Sequence, residues 1–288
     1  MLNGIARGAA RLPRSWALAG GAGAGRLLAA LQPGHRRRAR EALARSLPDL
    51  GAAERRALVW RMYAHMGRNY AEVLRWAGGC DQELEQVLPP DDISPLRAAR
   101  ARGRGLMILT AHLGNWDLLA LWAARQYPLS ILSKDLRQPA LNTFWMALRQ
   151  RAGLGILPAH NSFRRCIAVL RRNELLGFIL DQNVIAREGV FVDFFGRPAC
   201  TTPGLALLAA CAQAPVLPVF LVRTPSGAHQ VLLGELLEPP PDREPATIRA
   251  ATQQYTAIIE TFVRRHPDQW IWMHRRWRTP PPSAAGVS

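Results

Sequence analysis

Residues 106–125 read LMILTAHLGNWDLLALWAAR, and this stretch decides the fold that the sequence predicts. Residues 106–110 form a short apolar run, which is typical of a buried strand. Residues 116–125 have the apolar spacing of a helix, and Asn115 just before them is a favourable residue to cap its first turn. The stretch therefore predicts a strand that passes directly into a helix, with polar residues between the two.

The rest of residues 104–279 repeats this alternation of apolar runs and helical segments. Further strands are predicted at 129–133, 175–180, 216–222 and 229–237. Further helices are predicted at 141–151, 163–172, 202–212 and 248–265. Buried strands that alternate with helices favour an α/β fold with a largely parallel central sheet flanked by helices.

The chain divides into four regions around this core. Residues 1–34 combine arginines with a Gly- and Ala-rich apolar stretch, which we interpret as an anchor-like segment lying in a membrane interface. That stretch is shorter than the roughly 20 residues a membrane-spanning helix needs. Residues 35–103 are predicted to be a helical lead-in, residues 104–279 the α/β core, and the Pro-rich residues 280–288 a disordered tail.

The chain is strongly basic. It carries 37 Lys and Arg against 21 Asp and Glu, a net charge of +16, and Lys134 is its single lysine. A surface of this charge predicts an anionic partner, such as anionic lipid, an acidic protein or nucleic acid. A basic nucleic-acid-binding protein is the remote alternative, but the chain has no recognisable nucleic-acid-binding motif. We therefore expect no nucleic acid among the partners.

Several catalytic and cofactor motifs are absent from the sequence. The chain has no P-loop, GxSxG, HExxH or CxxC motif, so neither a metal nor a nucleotide cofactor is predicted. Four cysteines without paired histidines do not resemble a zinc site. Cys166, Cys200 or Cys211 could be an acyl-accepting nucleophile, but none has a histidine nearby in sequence, and small buried cysteines are common.

The connection after the first core strand carries the catalytic candidates, His112 and Asp117. Asp117 falls in the first turn of the predicted helix, from which a carboxylate can turn back toward His112. A carboxylate on one ring nitrogen fixes the tautomer, and the other nitrogen can then take a proton from a hydroxyl. The pair suits direct attack by a substrate alcohol on an activated acyl group. The spacing alone is weak evidence, because acidic residues are common enough to produce it by chance.

Three blocks in the same order strengthen this hypothesis. They are HLGNWD at 112–117, then DQN at 181–183 with EGVFVDFFG at 188–196 and TTPG at 201–204, and finally QWIWMHRRW at 269–277. Together they resemble the lipid A biosynthesis acyltransferases of bacteria, the lauroyl and myristoyl transferases of the lysophospholipid acyltransferase superfamily. The first block matches the HxxxxD/E motif of that family, and the resemblance covers about residues 105 to 278.

The resemblance implies transfer of a fatty acyl chain from acyl carrier protein, or from acyl-CoA, to a hydroxyl of a lipid acceptor. His112 corresponds to the general base of the family and Asp117 to its partner. The implied location is the cytoplasmic face of the inner membrane, held peripherally or by a weak anchor. A lipid A precursor is the first acceptor to consider, and another glycolipid, a lysophospholipid or an aminolipid remains open.

Other polar residues near these blocks are candidates for substrate binding. An oxyanion and a phosphorylated acceptor both need donors, which makes Arg137 the first candidate arginine. Glu188 and Asp193 either bind acceptor hydroxyls or stiffen their loop, and Asp181 ends an apolar run at the same predicted sheet edge as His112. The remaining candidates are Asn115, Gln182, Arg197 and Thr202, with Arg149 and Arg151 as further arginines. Trp270, Trp272 and Trp277 are predicted to lie either in the core or at the bilayer interface.

Overall fold

The computed structural model describes residues 2–282. Four helices come first: α1 (Leu2–Arg11), α2 (Arg14–Leu31), α3 (Pro33–Ser46) and α4 (Ala52–Ala77). Three short elements lead to the core: α5 (Gln82–Glu85), β1 (Val87–Leu88) and α6 (Ser94–Ala101). Of the predicted tail, residues 283–288 lie outside the described residues.

The core alternates strands and helices, as the sequence predicts. Its first part is β2 (Leu106–Thr110), α7 (Trp116–Ala124), β3 (Leu129–Ser133), α8 (Pro139–Arg151), β4 (Gly155–Pro158), α9 (Phe163–Arg171) and β5 (Leu175–Ile179). Its second part is β6 (Val190–Asp193), β7 (Pro198–Thr201), α10 (Gly204–Ala212), β8 (Val216–Arg223), β9 (His229–Leu233) and α11 (Pro245–Arg265). The prediction of an α/β fold with N-terminal helices is confirmed; β4 and the β6–β7 hairpin were not predicted.

The central sheet has seven strands in the order β1-β9-β8-β2-β5-β3-β4. Strands β8, β2, β5, β3 and β4 are parallel neighbours, and only the β8–β9 pair is antiparallel. In the centre of the sheet Thr110 of β2 lies opposite Ile179 of β5. Residues that follow these two positions therefore emerge side by side at the carboxyl edge, where ligands bind in open parallel sheets.

Both faces of the sheet are covered. Met107 and Leu109 pack toward α9, α10 and α11, whereas Leu106 packs on the opposite face in the apolar cluster that includes Leu118 of α7. This alternation follows from the two-residue period of a strand. Because both faces are buried, the carboxyl edge of the sheet is where polar side chains can meet an open cavity.

The N-terminal helices α2 and α4 pack on each other through glycines. A Cβ at Gly25 of α2 would lie 2.0 Å from the carbonyl oxygen of Tyr63, and one at Gly67 of α4 would lie 2.0 Å from that of Gly21. The glycines thus let the backbones of α2 and α4 approach closely. The opposite side of α2 is open, and Trp16 and Leu31 are each 71% exposed. Within residues 2–282, no helix has the length and apolar character to cross a bilayer.

The tryptophans near the C-terminus belong mainly to the core. Trp270 and Trp272 are fully buried, and their rings meet edge to face with centroids 4.7 Å apart. The alternative that these two residues lie at the bilayer interface is therefore wrong. Their burial follows from the position of this segment, which pairs through Leu113 and Trp270 with residues 111–115 between β2 and α7. These residues include the catalytic candidate His112 and are called the catalytic connection below.

Candidate active site

His112 and Asp181 meet at the carboxyl edge of the sheet. His112 follows β2 by two residues and Asp181 follows β5 by two residues, so the β2–β5 register places them next to each other. Nδ1 of His112 lies 2.8 Å from Oδ1 of Asp181, and the backbone N–H of His112 donates to Oδ2 at 2.9 Å. The same carboxylate thus fixes both the ring and the backbone of His112.

The carboxylate of Asp181 is buried and ionised. Its side chain is 3% exposed, and Nε1 of Trp270 donates a third hydrogen bond to it at 2.7 Å. Burial opposes ionisation, but the charge and hydrogen bond of His112 outweigh it and hold the pKa of Asp181 below its ordinary value. In return, the carboxylate overcomes the effect of burial on His112 and raises the pKa of that ring.

Asp117 has a different partner from the one predicted. Its Oδ1 accepts hydrogen bonds from Nη2 of Arg149 at 2.9 Å and from Nε1 of Trp145 at 3.3 Å. The prediction that Asp117 orients His112 by a hydrogen bond is therefore wrong, because the ring of His112 turns to Asp181 on the neighbouring strand. Asp117 instead fixes a guanidinium from α8 beside the catalytic residues.

A cavity of about 930 Å³ opens at this edge of the sheet. His112, Asp117 and Arg149 line it, together with apolar side chains of α8 and α9. With Nδ1 protonated toward Asp181, Nε2 of His112 accepts a hydrogen bond of 3.2 Å from the amide of Gln182, which also lines the cavity. The His112 side chain is 19% exposed. A ligand in this cavity can therefore reach Nε2 of His112 by replacing the long hydrogen bond from Gln182.

A second, smaller cavity of about 230 Å³ lies between the sheet and α7. Its walls are mostly apolar and include Ile108, Gly177, Leu119 and Trp122. Both cavities share residues at the carboxyl edge, namely Trp116, Asp117, Leu132, Arg149 and Ile179. An apolar chain in the second cavity would therefore have its end close to Asp117 and Arg149.

Arg149 lies at the junction of the two cavities. Its Nη1 donates to the hydroxyl of Ser133 at 2.8 Å, and its Nη2 donates to Asp117. Its Nε is buried and has no hydrogen-bond partner among the described residues. The sequence named Arg149 only as a further arginine, and neither Ser133 nor Trp145 was singled out, because their contacts depend on how α8 packs.

The predicted substrate-binding residues fall into two groups. Gln182, Glu188 and Thr202 line the large cavity, although Thr202 also accepts a hydrogen bond from the N–H of Gly204 at 3.2 Å. Five of the predicted residues line neither cavity. One is Asp181, whose carboxylate binds His112 rather than facing the cavity, and the other four are Asn115, Arg137, Asp193 and Arg197.

Each of these four residues has another place in the structure. The capping role predicted for Asn115 is confirmed, since its Oδ1 accepts from the N–H of Leu118 at 3.2 Å and its side chain is buried behind the turn. Arg137 is exposed on the β3–α8 connection. Asp193 accepts from the N–H of Gly196 and closes the hairpin turn, and Arg197 lies 4.2 Å over the ring of Trp277. None of these four side chains is therefore on the cavity wall.

Two of the three candidate cysteine nucleophiles, Cys200 and Cys211, line neither cavity. Cys166 lines the large cavity, but it is 1% exposed and burial raises the pKa of its thiol. A protonated thiol is a poor nucleophile. The described residues contain no group of three side chains that could hold a metal ion.

Comparison with known protein families identifies the class of this enzyme. Residues 1–279 match the model of the bacterial lipid A biosynthesis acyltransferase family. A lipid A biosynthesis acyltransferase of Haemophilus influenzae is 24% identical over 248 residues, which is 85% of this chain and 76% of that protein. A lipid A biosynthesis lauroyltransferase of Escherichia coli is 24% identical over 81% of this chain and 76% of that protein.

A relative with a different acceptor is equally similar. A phosphatidylinositol mannoside acyltransferase of Mycobacterium tuberculosis is 27% identical over 83% of this chain and 76% of that protein.

The family model covers nearly the whole sequence, and the family resemblance predicted from the three blocks is confirmed. The chain belongs to the bacterial lipid A biosynthesis acyltransferase family and is an acyl-transferring enzyme that acts on lipid A or a related glycolipid.

Proposed function

We propose that this member of the lipid A biosynthesis acyltransferase family transfers a fatty acyl chain from acyl carrier protein, or from acyl-CoA, to a hydroxyl of a lipid A precursor. The observation that carries the mechanism is the 2.8 Å contact between His112 Nδ1 and Asp181, which leaves Nε2 on the wall of the large cavity. A nitrogen in this position is suited to take a proton from an alcohol. The phosphatidylinositol mannoside relative supports a related glycolipid as the second candidate acceptor.

The reaction proceeds by direct transfer. The acceptor oxygen bonds to the carbonyl carbon of the thioester while its proton passes to Nε2 of His112. The buried carboxylate of Asp181 stabilises the imidazolium that forms. The tetrahedral intermediate then collapses, the carbon–sulfur bond breaks, and the leaving thiol takes the proton back from His112. In this scheme the protein supplies no nucleophile and no cofactor is consumed.

Arg149 stabilises the negative charge that develops on the thioester oxygen. Its guanidinium is held by Asp117 and Ser133, so the donor is already oriented before the reaction starts. Donors fixed in this way lower the barrier more than mobile ones, because they need no reorganisation. Arg149 lines both cavities, so its guanidinium lies close to the proposed position of the thioester. Arg149 thus takes the role that the sequence assigned first to Arg137.

The two cavities divide the substrates between them. The acyl chain of the donor lies in the apolar cavity of about 230 Å³ beside α7, where burial of its methylene groups is favourable. The acceptor and the thioester group lie in the cavity of about 930 Å³, which has polar residues on its walls. In this proposal the thioester carbonyl lies where the two cavities meet, between His112 and Arg149.

The enzyme works at the cytoplasmic face of the inner membrane. The net charge of +16 favours contact with anionic lipid and with an acidic carrier protein. The exposed apolar side chains of Trp16, Leu27 and Leu31 on α2 are suited to the membrane interface. Donor and acceptor would then meet at one surface.

Mass spectrometry of the lipids of the native host tests this function. A strain that lacks the gene is compared with strains complemented by the wild type or by His112→Ala at equal protein level. We expect lipid A to lack one acyl chain, and only the wild type to restore it. An unchanged lipid A with one altered glycolipid would identify a related glycolipid, the second candidate, as the acceptor. Restoration by His112→Ala would overturn the mechanism.

A further inference from the structure

A second buried carboxylate, Glu72 of α4, lies behind the catalytic connection. It is fully buried and accepts five hydrogen bonds. Arg223 donates two of them, at 2.5 and 2.7 Å, and Arg14, His229 and Asn115 donate the others at 2.8, 2.9 and 2.9 Å. Burial opposes ionisation, but the bonds from Arg223 and His229 prevail and keep the pKa of Glu72 below its ordinary value.

Glu72 and Asn69, which lies one turn earlier in α4, contact the catalytic connection from the side opposite the large cavity. The amide of Asn115, which caps α7, donates to Glu72, and the amide of Asn69 donates to the carbonyl of Gly114 at 2.6 Å. Arg223 links Glu72 to Asn69, since its Nη2 donates both to Glu72 and to Oδ1 of Asn69, the latter at 2.9 Å. These contacts fix residues 114 and 115, directly after His112 and Leu113.

The conformation of this connection depends on such support. Gly114 has a φ of +63°, and a Cβ there would lie 1.5 Å from the carbonyl oxygen of Leu221. The connection thus packs closely against β8, and Gly114 has a backbone conformation that residues other than glycine rarely adopt. A small movement of the connection would change the position of the His112 ring relative to Asp181 and to the acceptor hydroxyl.

The same carboxylate binds the N-terminal helices. Arg14, the first residue of α2, donates from Nη2 to Glu72 and to the carbonyl of Gly227 at 3.0 Å, and from Nε to Glu83 at 3.2 Å. Glu83 is also paired with Arg75, which donates to backbone carbonyls at the α1–α2 junction. A continuous set of charge-assisted bonds therefore runs from the start of α2 to the N-cap of α7.

We propose that Glu72 is a positioning residue for the transfer reaction, and that Arg14 makes α2 part of the support of the catalytic connection. Neither residue lines a cavity, so neither contacts substrate. The inference rests on the assignment of His112 as the base. Loss of the Arg14–Glu72 bond leaves the Glu72 carboxylate with fewer donors and lets Asn115 and the connection shift. Because proton transfer needs a narrow range of geometry, this shift lowers turnover more than substrate binding.

The test compares Arg14→Gln with Arg26→Gln. Arg26 also belongs to α2, is exposed and has no acidic partner among the described residues, so its replacement removes the same charge from the same helix. With an acyl thioester donor, we expect Arg14→Gln to lower kcat on the order of tenfold with KM nearly unchanged. We also expect faster hydrogen exchange at the N–H of Leu118, which the Asn115 cap protects. Arg14→Lys should recover part of the turnover, and Arg26→Gln should resemble the wild type.

Other outcomes would overturn the proposal. Wild-type kcat and wild-type exchange in Arg14→Gln would show that the contacts are not needed for positioning. An equal loss of kcat in Arg26→Gln would show that the effect comes from the removal of positive charge from α2. Glu72→Gln is the second variant: if it folds with normal kcat, Glu72 has no positioning role. A wild type without acyl transfer would refute the proposed function, whereas the exchange comparison would still test the link between Arg14 and the Asn115 cap.

Discussion

At the scale of the residue, the proposed mechanism makes the Asp181–His112 pair responsible for the pH dependence of the reaction. His112 acts as a base only when its ring is neutral, and Asp181 raises the pKa of that ring above the ordinary value of 6.5. Activity is therefore complete above the raised pKa and is lost as the pH falls through it. We predict that the acid limb of kcat/KM lies above pH 6.5. A pH–rate profile with a thioester donor checks this, and a limb well below that value would contradict it.

Arg149 gives a second prediction at this scale. Arg149→Ala removes the oriented donor and leaves Asp117 without its cationic partner, so we expect kcat to fall by roughly a hundredfold. Arg149→Lys keeps the charge but loses the planar guanidinium that donates to Ser133 and Asp117 from two separate nitrogens, so we expect it to recover little. Steady-state kinetics of the two variants check this. Near-wild-type turnover in Arg149→Lys would show that charge alone is enough.

The sequence predicted part of this site for physical reasons that can be named. His112 could be found because a strand–helix connection with a histidine is a local pattern. Asp181 was placed at the same edge, yet it was assigned to substrate. Its partnership with His112 spans 69 positions and depends on the register of β2 with β5. Asp117 is closer in sequence, but it turns toward α8, and no local pattern predicts how α8 packs.

At the scale of the element, the glycines of α2 show how packing can override propensity. Glycine disfavours a helix by about 1 kcal/mol relative to alanine. The Gly-rich stretch from Trp16 to Gly25 was interpreted as part of an anchor-like segment, and no helix was assigned to it. Contact with α4 compensates, because only residues without a side chain allow this close approach. Strand β4 and the β6–β7 hairpin were missed for another reason. They are four-residue strands, and both β4 and β7 contain a proline.

Two substitutions test the packing of α2 on α4. Gly67→Leu puts a side chain where the backbone of Gly21 lies, so we expect the free energy of unfolding to fall by at least about 2 kcal/mol. Gly23→Ala is the matched control. Because a Cβ at Gly23 meets no atom within 4 Å, we expect it to stabilise the protein by up to about 1 kcal/mol. Chemical denaturation measures both changes, and equal stability of the two variants would contradict this packing.

At the scale of the whole molecule, charge and exposed apolar area predict binding to a membrane surface. The chain carries a net charge of +16, and α2 exposes Trp16, Leu27 and Leu31. We expect co-sedimentation with anionic vesicles that weakens as salt is added, since screening reduces the attraction. We expect Trp16→Ser to weaken the binding that remains at high salt. Equal binding to neutral and anionic vesicles would exclude the electrostatic part of this prediction.

The measurement that tests the central claim most directly is the pH profile of Asp181→Asn beside that of Asp117→Asn. If Asp181 orients and charges His112, its replacement lowers kcat/KM and moves the acid limb to lower pH, because the pKa of the ring falls toward or below its ordinary value. Asp117→Asn should lower the rate through Arg149 and move the limb much less. A limb that moves in Asp117→Asn and stays in place in Asp181→Asn would contradict the pairing of His112 with Asp181.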